Sequence, residues 1–343
     1  MTTIDPAARL TSTYHVDDLR EFTSGDGPFA SVLLQAPSAR ADSEHSLDVR
    51  WRNSRRMIDD TWPPELLAQL DRVVADLDHG AAAGFVILQR ADGAVHVEAM
   101  ASALSASEAS VGDAPRLLEV IEHRQRTLPH IVVDTDRAGA TVSAFVAGSA
   151  ADVEQVEGDT EHIHRSRGGG WSHRRFQQRA ENTWERNAGE VGDVVDEVAR
   201  TYDPVLIALA GEVRATQFLH DALDDHYGDL LVDIEANNPD GIADAVLRAL
   251  DDRHARFQVA IIERLRNEQG ITDPAEVHAA LAEGRVETLL VAGPPTRAED
   301  DERRARIDAV SAAISAALAT SAPIVVVPIT AEMSGGVAAL ARW

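Results

Sequence analysis

The sequence predicts an α/β protein of three domains. Its 343 residues are enough for two or three domains, each with a hydrophobic core of its own. Short apolar runs of strand length alternate with segments of helical periodicity along the whole chain, which indicates mixed α/β domains. We place the domains at residues 1–128, 129–254 and 255–343.

The first domain alternates strand and helix signals. Its predicted elements are strands at residues 29–34, 84–89 and 94–100 and helices at residues 63–80 and 115–126. Asp92-Gly93 between the second and third strands is a strong hairpin signal. Thr61 is the expected N-cap of the first helix, with Pro63 in its first turn and Gly80 at its end.

The second and third domains have the same mixed pattern. For the second domain we predict strands at residues 131–134, 140–147, 152–156, 205–209 and 230–234 and helices at residues 172–200, 212–223 and 240–269. The third domain is predicted to be an α/β sandwich with helices at residues 274–283 and 297–319 and strands at residues 286–291, 324–329 and 337–343. The helix at 172–200 is long. Its expected apolar face recurs at steps of four and three, at Phe176, Ala180, Thr183, Asn187, Val191, Val194 and Val198.

Composition excludes several kinds of chemistry. All 32 basic residues are arginines and there is no cysteine, so lysine catalysis, the lysine-dependent phosphate loop, disulfides and thiolate metal sites are excluded. The net charge of −25 argues against indiscriminate coating of nucleic acid, but it allows docking through a local basic patch. We find no membrane-spanning run and no secretory signal, and we expect a cytoplasmic protein without a membrane, DNA or cofactor partner.

The most informative segment is residues 162–175, which places arginines and histidines around three consecutive glycines. Between His162 and Arg186 there are six arginines and two glutamates, within a strongly acidic chain. Like charges repel, and glycines raise the entropic cost of ordering a segment. The pattern therefore indicates a positive tip that enters a polyanionic site, and a solvated surface loop is the alternative.

A second basic cluster lies upstream of the first predicted helix. It consists of Arg50, Trp51, Arg52, Arg55 and Arg56. Arginines with an aromatic residue suit RNA stacking and phosphate contact. The outer face of an ordinary helix has the same composition, so both interpretations stay open.

Histidines near the glycines allow one further hypothesis. His162 and His164 alternate on an extended segment, with Glu161 and His173 nearby, and such residues can converge on a metal ion. Histidines are also common on surfaces that face RNA. We therefore predict no metal site.

Three motifs together resemble archaeal and eukaryotic peptide-chain release factor one and Pelota. Residues 280–291, ALAEGRVETLLV, look like the helix-Gly-strand signature of the C-terminal domain of these proteins, and residues 335–343, GGVAALARW, are similar to their closing strand. The loop from Arg167 to Trp171 lies where release factors carry Gly-Gly-Gln. The resemblance covers residues 129–343 and is greatest to bacterial release-factor-one-like proteins, which include the ribosome hibernation factor Balon and its mycobacterial homologues.

This resemblance implies a ligand of the ribosomal A site. In the family, the N-terminal domain approaches the decoding centre and the middle-domain loop reaches toward the peptidyl transferase centre. The C-terminal domain contacts the stalk base or a translational GTPase such as elongation factor Tu. The residues then expected to contact ribosomal RNA are Arg165, Arg167, Gly168, Gly169, Gly170, Trp171, His173, Arg174, Arg175 and Arg179, with Arg52, Arg55 and Arg56 in the first domain.

Departures from the family pattern separate two functions. Release factors carry a glutamine after the two glycines, and the aligned residue here is Trp171, whose indole is not expected to admit water and ester in the same way. No Asn-Ile-Lys-Ser stop-codon motif is visible. We therefore favour a non-catalytic factor that occupies idle ribosomes in dormancy or stress. A peptidyl-tRNA hydrolase or rescue factor, and an RNA-binding module unrelated to translation, are the alternatives.

Overall fold

The computed structural model has a mixed α/β fold with three sheets, as the sequence predicts. It describes residues 16–36, 43–77, 82–136, 139–146, 149–157, 171–236, 238–293, 300–333 and 335–342, with side chains described for these except at 43–46, 149–150, 171–182, 224 and 300–302. The chain divides into two compact units. Met1–Gln125 and Arg256–Trp343 form the first unit, and Arg126–Ala255 form the second.

The first unit contains two of the sheets. Its N-terminal elements are α1 (Asp17–Thr23), β1 (Phe29–Gln35), α2 (Ser43–Arg55), α3 (Pro64–Ala75), β2 (Gly84–Arg90), β3 (Val95–Met100), β4 (Glu108–Gly112) and α4 (Leu118–Arg126). The strands form an antiparallel sheet in the order β3-β2-β1-β4. Its C-terminal elements are α8 (Pro274–Ala282), β10 (Val286–Val291), α9 (Asp300–Ala319), β11 (Ile324–Val326) and β12 (Val337–Ala341), with sheet order β11-β10-β12.

The second unit is built on a five-stranded mixed sheet in the order β7-β6-β5-β8-β9. Its elements are β5 (His130–Thr135), β6 (Gly139–Val146), β7 (Ser149–Glu157), α5 (Trp171–Tyr202), β8 (Leu206–Gly211), α6 (Val213–Tyr227) and β9 (Leu231–Asp233), and α7 (Pro239–Asn267) continues from it into the first unit. Strands β5, β8 and β9 are parallel, whereas β6 and β7 are antiparallel neighbours. Helices α5 and α6 pack on one face and bury Val133, Val142, Val191 and Leu219.

Both ends of the sequence contribute to one hydrophobic core. Leu19, Phe29 and Leu33 from the N-terminal part are buried in the same cluster as Leu281 and Ile314 from the C-terminal part. Periodicity predicted the apolar faces of these elements, but it does not show which element covers which face. The first and third predicted domains each contain a sheet of their own and nevertheless share this core, so they belong to one unit.

Two glutamine amides bind the outer edge of strand β11. Gln125, only 2% exposed, donates to the Ile324 carbonyl at 2.7 Å and accepts from the Val326 N–H at 2.9 Å. Gln258 donates to the Val326 carbonyl at 2.8 Å. These residues lie next to the two points where the chain passes between the units. The edge of β11 is therefore satisfied by side chains, as buried backbone groups require.

Two local predictions in the first domain were wrong. Thr61 is not an N-cap, because α3 begins at Pro64 with Pro63 in the capping position, and the Thr61 hydroxyl donates to the Ile58 carbonyl at 3.2 Å. The helix also ends at Ala75, before Gly80. Helix α1 and strand β4 were missed, since seven and five residues give little periodicity.

Within the described residues, no helix has both the length and the apolar character needed to cross a membrane.

Candidate nucleic-acid interface

The predicted positive tip joins the start of helix α5. Arg165, Arg167, Gly168, Gly169 and Gly170 lie outside the described residues. The other predicted RNA contacts of this segment fall in the first turns of α5, at Trp171, His173, Arg174, Arg175 and Arg179. The predicted long helix is confirmed, since α5 runs from Trp171 to Tyr202 against the expected 172–200.

Helix α5 is anchored to the sheet by its second half. Val191, Val195 and Val198 are at most 3% exposed and pack in the core of the second unit. Nearer the start, Trp184 and Asn187 line a narrow crevice together with residues at the end of β5 and the start of β6. Trp184 therefore marks the level at which α5 passes the end of the sheet.

Residues before Trp184 extend the helix beyond the sheet. Trp184 lies thirteen positions after Trp171, and at 1.5 Å per residue this is about 20 Å of helix. The strands are at most nine residues long, so they cannot support the whole of a 32-residue helix. The first turns of α5 thus precede the part of the helix that is packed in the core of the second unit.

The glycine-rich segment follows strand β7, which ends at the same end of the sheet. Strand β7 ends at Glu157, opposite Gly139 at the start of β6. The backbone is tightly packed here, because a Cβ on Gly211, whose φ is +116°, would lie 1.9 Å from the Thr135 carbonyl oxygen. The N–H of Glu212 donates to the same carbonyl at 2.9 Å. The chain therefore leaves β7 at the end of the sheet where Gly211 packs on Thr135.

Trp184 is held by aromatic and cationic neighbours from helix α6. The Arg214 guanidinium carbon lies 5.4 Å from its ring centroid, and the Phe218 ring meets it edge-on at 6.4 Å. Sequence reasoning missed Trp184, because it placed the apolar face on Thr183 and Val194, which are only half-buried. The better signal was the spacing of four, three, four and three residues that links Trp184 to Ala188, Val191, Val195 and Val198.

Charge changes sign along helix α5. The first nine residues contain three arginines and a histidine and no carboxylate. Residues 181–197 contain six carboxylates and one arginine, and Glu185, Glu190, Asp193 and Glu197 are exposed. Cations at a helix N-terminus oppose the helix dipole, at a cost of about 0.3–1 kcal/mol for each well-placed charge. An anionic partner at this end would reverse that cost.

The opposite face of the sheet is acidic near the same end. Asp134, Thr141 and Gln155 lie opposite one another on β5, β6 and β7 and line a shallow cavity of about 330 Å³. Asp136 and Glu157 add carboxylates to its rim. This face repels phosphates, whereas the basic first turns of α5 attract them.

The second basic cluster is mostly engaged with the protein itself. Trp51 is only 7% exposed and donates to Asp71 at 2.9 Å, so its ring is not available for stacking. Arg55 donates to the same Asp71 oxygen at 2.9 Å and is also paired with Asp59. Arg52 and Arg56 are exposed, and among the described residues neither is paired with a carboxylate. The prediction of RNA contact in this region now depends on these two.

Within the described part of the chain, no group of three or more histidines, aspartates and glutamates is arranged to hold a metal ion. The residues of the metal hypothesis are not tested by this finding. Glu161, His162 and His164 lie outside the described residues, and for His173 only the backbone is described.

Residues 129–271 match the model of a protein family described as bacterial archaeo-eukaryotic release factor family 2. Over these residues, which are less than half of the chain, the protein is similar to bacterial release-factor-like proteins. A Mycobacterium tuberculosis protein named Uncharacterized protein Rv2629 is 22% identical to it over 288 residues, which are 80% of this chain and 77% of the relative.

Several solved structures are similar over nearly the whole chain. The archaeal translation termination factor aRF1 is 16% identical, with 99% of each chain covered and a TM-score of 0.25. Archaeal Pelota, from a model of ribosome-bound Pelota and ABCE1, is 16% identical over 96% of this chain and 94% of its own, with a TM-score of 0.42. Dom34 of S. cerevisiae is 9% identical over 95% and 92%, with a TM-score of 0.41. The similarity to the release factor family is the one over residues 129–271.

Proposed function

We propose that this protein is a non-catalytic ribosome hibernation factor that occupies the A site of idle ribosomes. The observation that carries the proposal is the positive first part of helix α5, which lies within the roughly 20 Å of helix that precede Trp184, in a chain of net charge −25. Ribosomal RNA is the polyanion that a release-factor-like protein meets. Similarity to this family over residues 129–271 therefore makes the A site the expected destination of the tip.

In this proposal, the tip binds through phosphates and close backbone approach. Arg165, Arg167, Arg174, Arg175 and Arg179 neutralise phosphates of ribosomal RNA near the peptidyl transferase centre, and the released counterions make binding dependent on salt. Gly168 to Gly170 let the backbone approach RNA without intervening side chains. Trp171 stacks on an unpaired base, a contact of about 1–3 kcal/mol.

Two more contacts belong to the same proposal. Exposed Arg52 and Arg56 bind phosphates on the decoding side, about one helical turn apart. The C-terminal part of the chain receives a translational GTPase such as elongation factor Tu, in line with the family resemblance. In this proposal the tip catalyses no hydrolysis, because Trp171 stands where release factors need glutamine.

Charge reversal at the tip tests the proposal. Arg174→Glu with Arg175→Glu should abolish most co-sedimentation with purified idle ribosomes and reduce the salt dependence of the remaining binding. Arg200→Glu with Arg248→Glu is the control, since both residues are exposed, lie away from the tip and change the net charge equally. Equal loss of binding in the two variants, or a wild type that stays unbound, would contradict the proposal.

Peptide release distinguishes this function from hydrolysis. Saturating wild-type protein added to stalled ribosomes that carry labelled peptidyl-tRNA should release no peptide. Release that disappears on Gly169→Ala and Gly170→Ala would instead support a peptidyl-tRNA hydrolase that uses backbone N–H groups of the glycine loop.

A further inference from the structure

The reversal of charge along helix α5 has a geometric consequence for RNA binding. The carboxylates Glu185, Glu190, Asp193 and Glu197 follow the basic turns. Twelve steps along the helix, about 18 Å, separate the first of them from the last. We call this part, residues 181–197, the acidic stem. Its charges lie immediately behind the residues that are expected to bind phosphate.

The acidic side of the stem is the side that a partner can approach. Ala188, Val191 and Val195 on the opposite side are at most 8% exposed and are packed on the sheet and on helix α6. The four carboxylates are exposed. Arg186 offsets part of the charge, with its guanidinium 3.8 Å from the Glu190 carboxylate. From Glu185 to Glu197, the accessible face of the stem is therefore net negative.

We propose that the acidic stem forces helix α5 to bind RNA end-on. This inference rests on the proposed function, because it takes RNA as the partner of the tip. A helix that is basic throughout lies lengthwise along a nucleic-acid groove, where each turn meets phosphates. Here a lengthwise duplex brings phosphates within the Debye length, about 8 Å at physiological salt, of four carboxylates.

End-on binding selects one class of RNA surface. A recess whose phosphates surround only the end of the helix receives the positive turns and leaves the stem outside. Duplex RNA lying along the helix is rejected by repulsion, so specificity comes from a built-in unfavourable contact as much as from attraction. The acidic stem is thus a selectivity element that keeps the protein off transfer and messenger RNA duplexes.

Neutralising the stem tests this inference. The stem variant is Glu185→Gln, Glu190→Gln, Asp193→Asn and Glu197→Gln. The control variant is Asp240→Asn, Asp244→Asn, Asp251→Asn and Glu263→Gln, which removes the same charge from exposed positions on helix α7. Affinity of the full-length proteins for a blunt RNA duplex longer than helix α5 is measured against salt concentration, with affinity for idle ribosomes alongside.

The stem variant should bind the duplex about tenfold more tightly than the wild type at low salt, with a steeper salt dependence. The control variant should stay within about twofold of the wild type. An equal gain in both variants would show an effect of net charge alone and overturn the inference, as would no gain in the stem variant. Absence of ribosome binding by the wild type would overturn the proposed function instead, and the duplex comparison is measured independently of it.

Discussion

Arg124 joins two carboxylates of the first unit through short hydrogen bonds. Its guanidinium contacts Glu98 at 2.7 and 2.9 Å and Asp18 at 2.7 and 2.8 Å. Burial by itself raises the pKa of Glu98, but hydrogen bonds from Arg124 and His96 outweigh it and bring the pKa to about 2. Because that pKa is lower than in the unfolded chain, the charged pair stabilises the fold above about pH 4.5.

Replacing this carboxylate should reduce the pH dependence of stability. Glu98→Gln is expected to cost roughly 2–3 kcal/mol of unfolding free energy at pH 7, and the difference from the wild type should shrink as the pH falls from about 4.5 toward 2. Urea unfolding across this range is the measurement, with the exposed Glu65→Gln as control. A constant difference at every pH would contradict the assignment.

Two glycines of the second unit should respond oppositely to alanine. Gly211 has a φ of +116° and no space for a Cβ, so Gly211→Ala should destabilise the unit by roughly 2–4 kcal/mol. Gly189 is exposed within helix α5 with nothing near its missing Cβ, so Gly189→Ala should stabilise by about 1 kcal/mol. Thermal unfolding of both variants checks the signs. Similar effects from the two would mean that the backbone at Gly211 is unconstrained.

At the scale of elements, strand β11 depends on the two glutamine amides at its edge. Gln125→Leu leaves the Ile324 carbonyl and the Val326 N–H without this partner in a buried place, and should cost about 2–4 kcal/mol. Gln258→Leu removes one bond in a partly buried place and should cost about 1 kcal/mol. Urea unfolding measures both. The reverse order would show that the amides do not support the edge.

Elements with a long or strongly marked pattern were predictable, and those fixed by tertiary contacts were not. Helix α5 and the Asp92-Gly93 hairpin follow from local pattern and turn chemistry, and the structure confirms both. Strand β11 is three residues instead of the predicted six, because pairing with β10 ends at Val326. For the candidate interface, sequence located the positive segment. It could not show that Arg55 and Trp51 bind Asp71, since that partner is distant in the chain.

At the scale of the molecule, the shared core makes the two ends of the chain interdependent. A fragment of residues 1–125 loses the C-terminal half of the cluster that contains Leu19 and Leu33, so it should be partly unfolded and aggregate. A fragment of residues 126–255 keeps its own core and should fold cooperatively. Circular dichroism and urea unfolding of the fragments test this. Cooperative folding of the first fragment alone would refute the interdependence.

In the proposed function, the positive start of helix α5 meets ribosomal RNA and the acidic stem does not. A cryo-EM map of the protein bound to idle ribosomes tests it most directly. The density of Trp171 to Arg179 should lie against large-subunit RNA in the A site, close to the peptidyl transferase centre. A map with this segment turned away from RNA, or with the protein bound at another ribosomal site, would contradict the account.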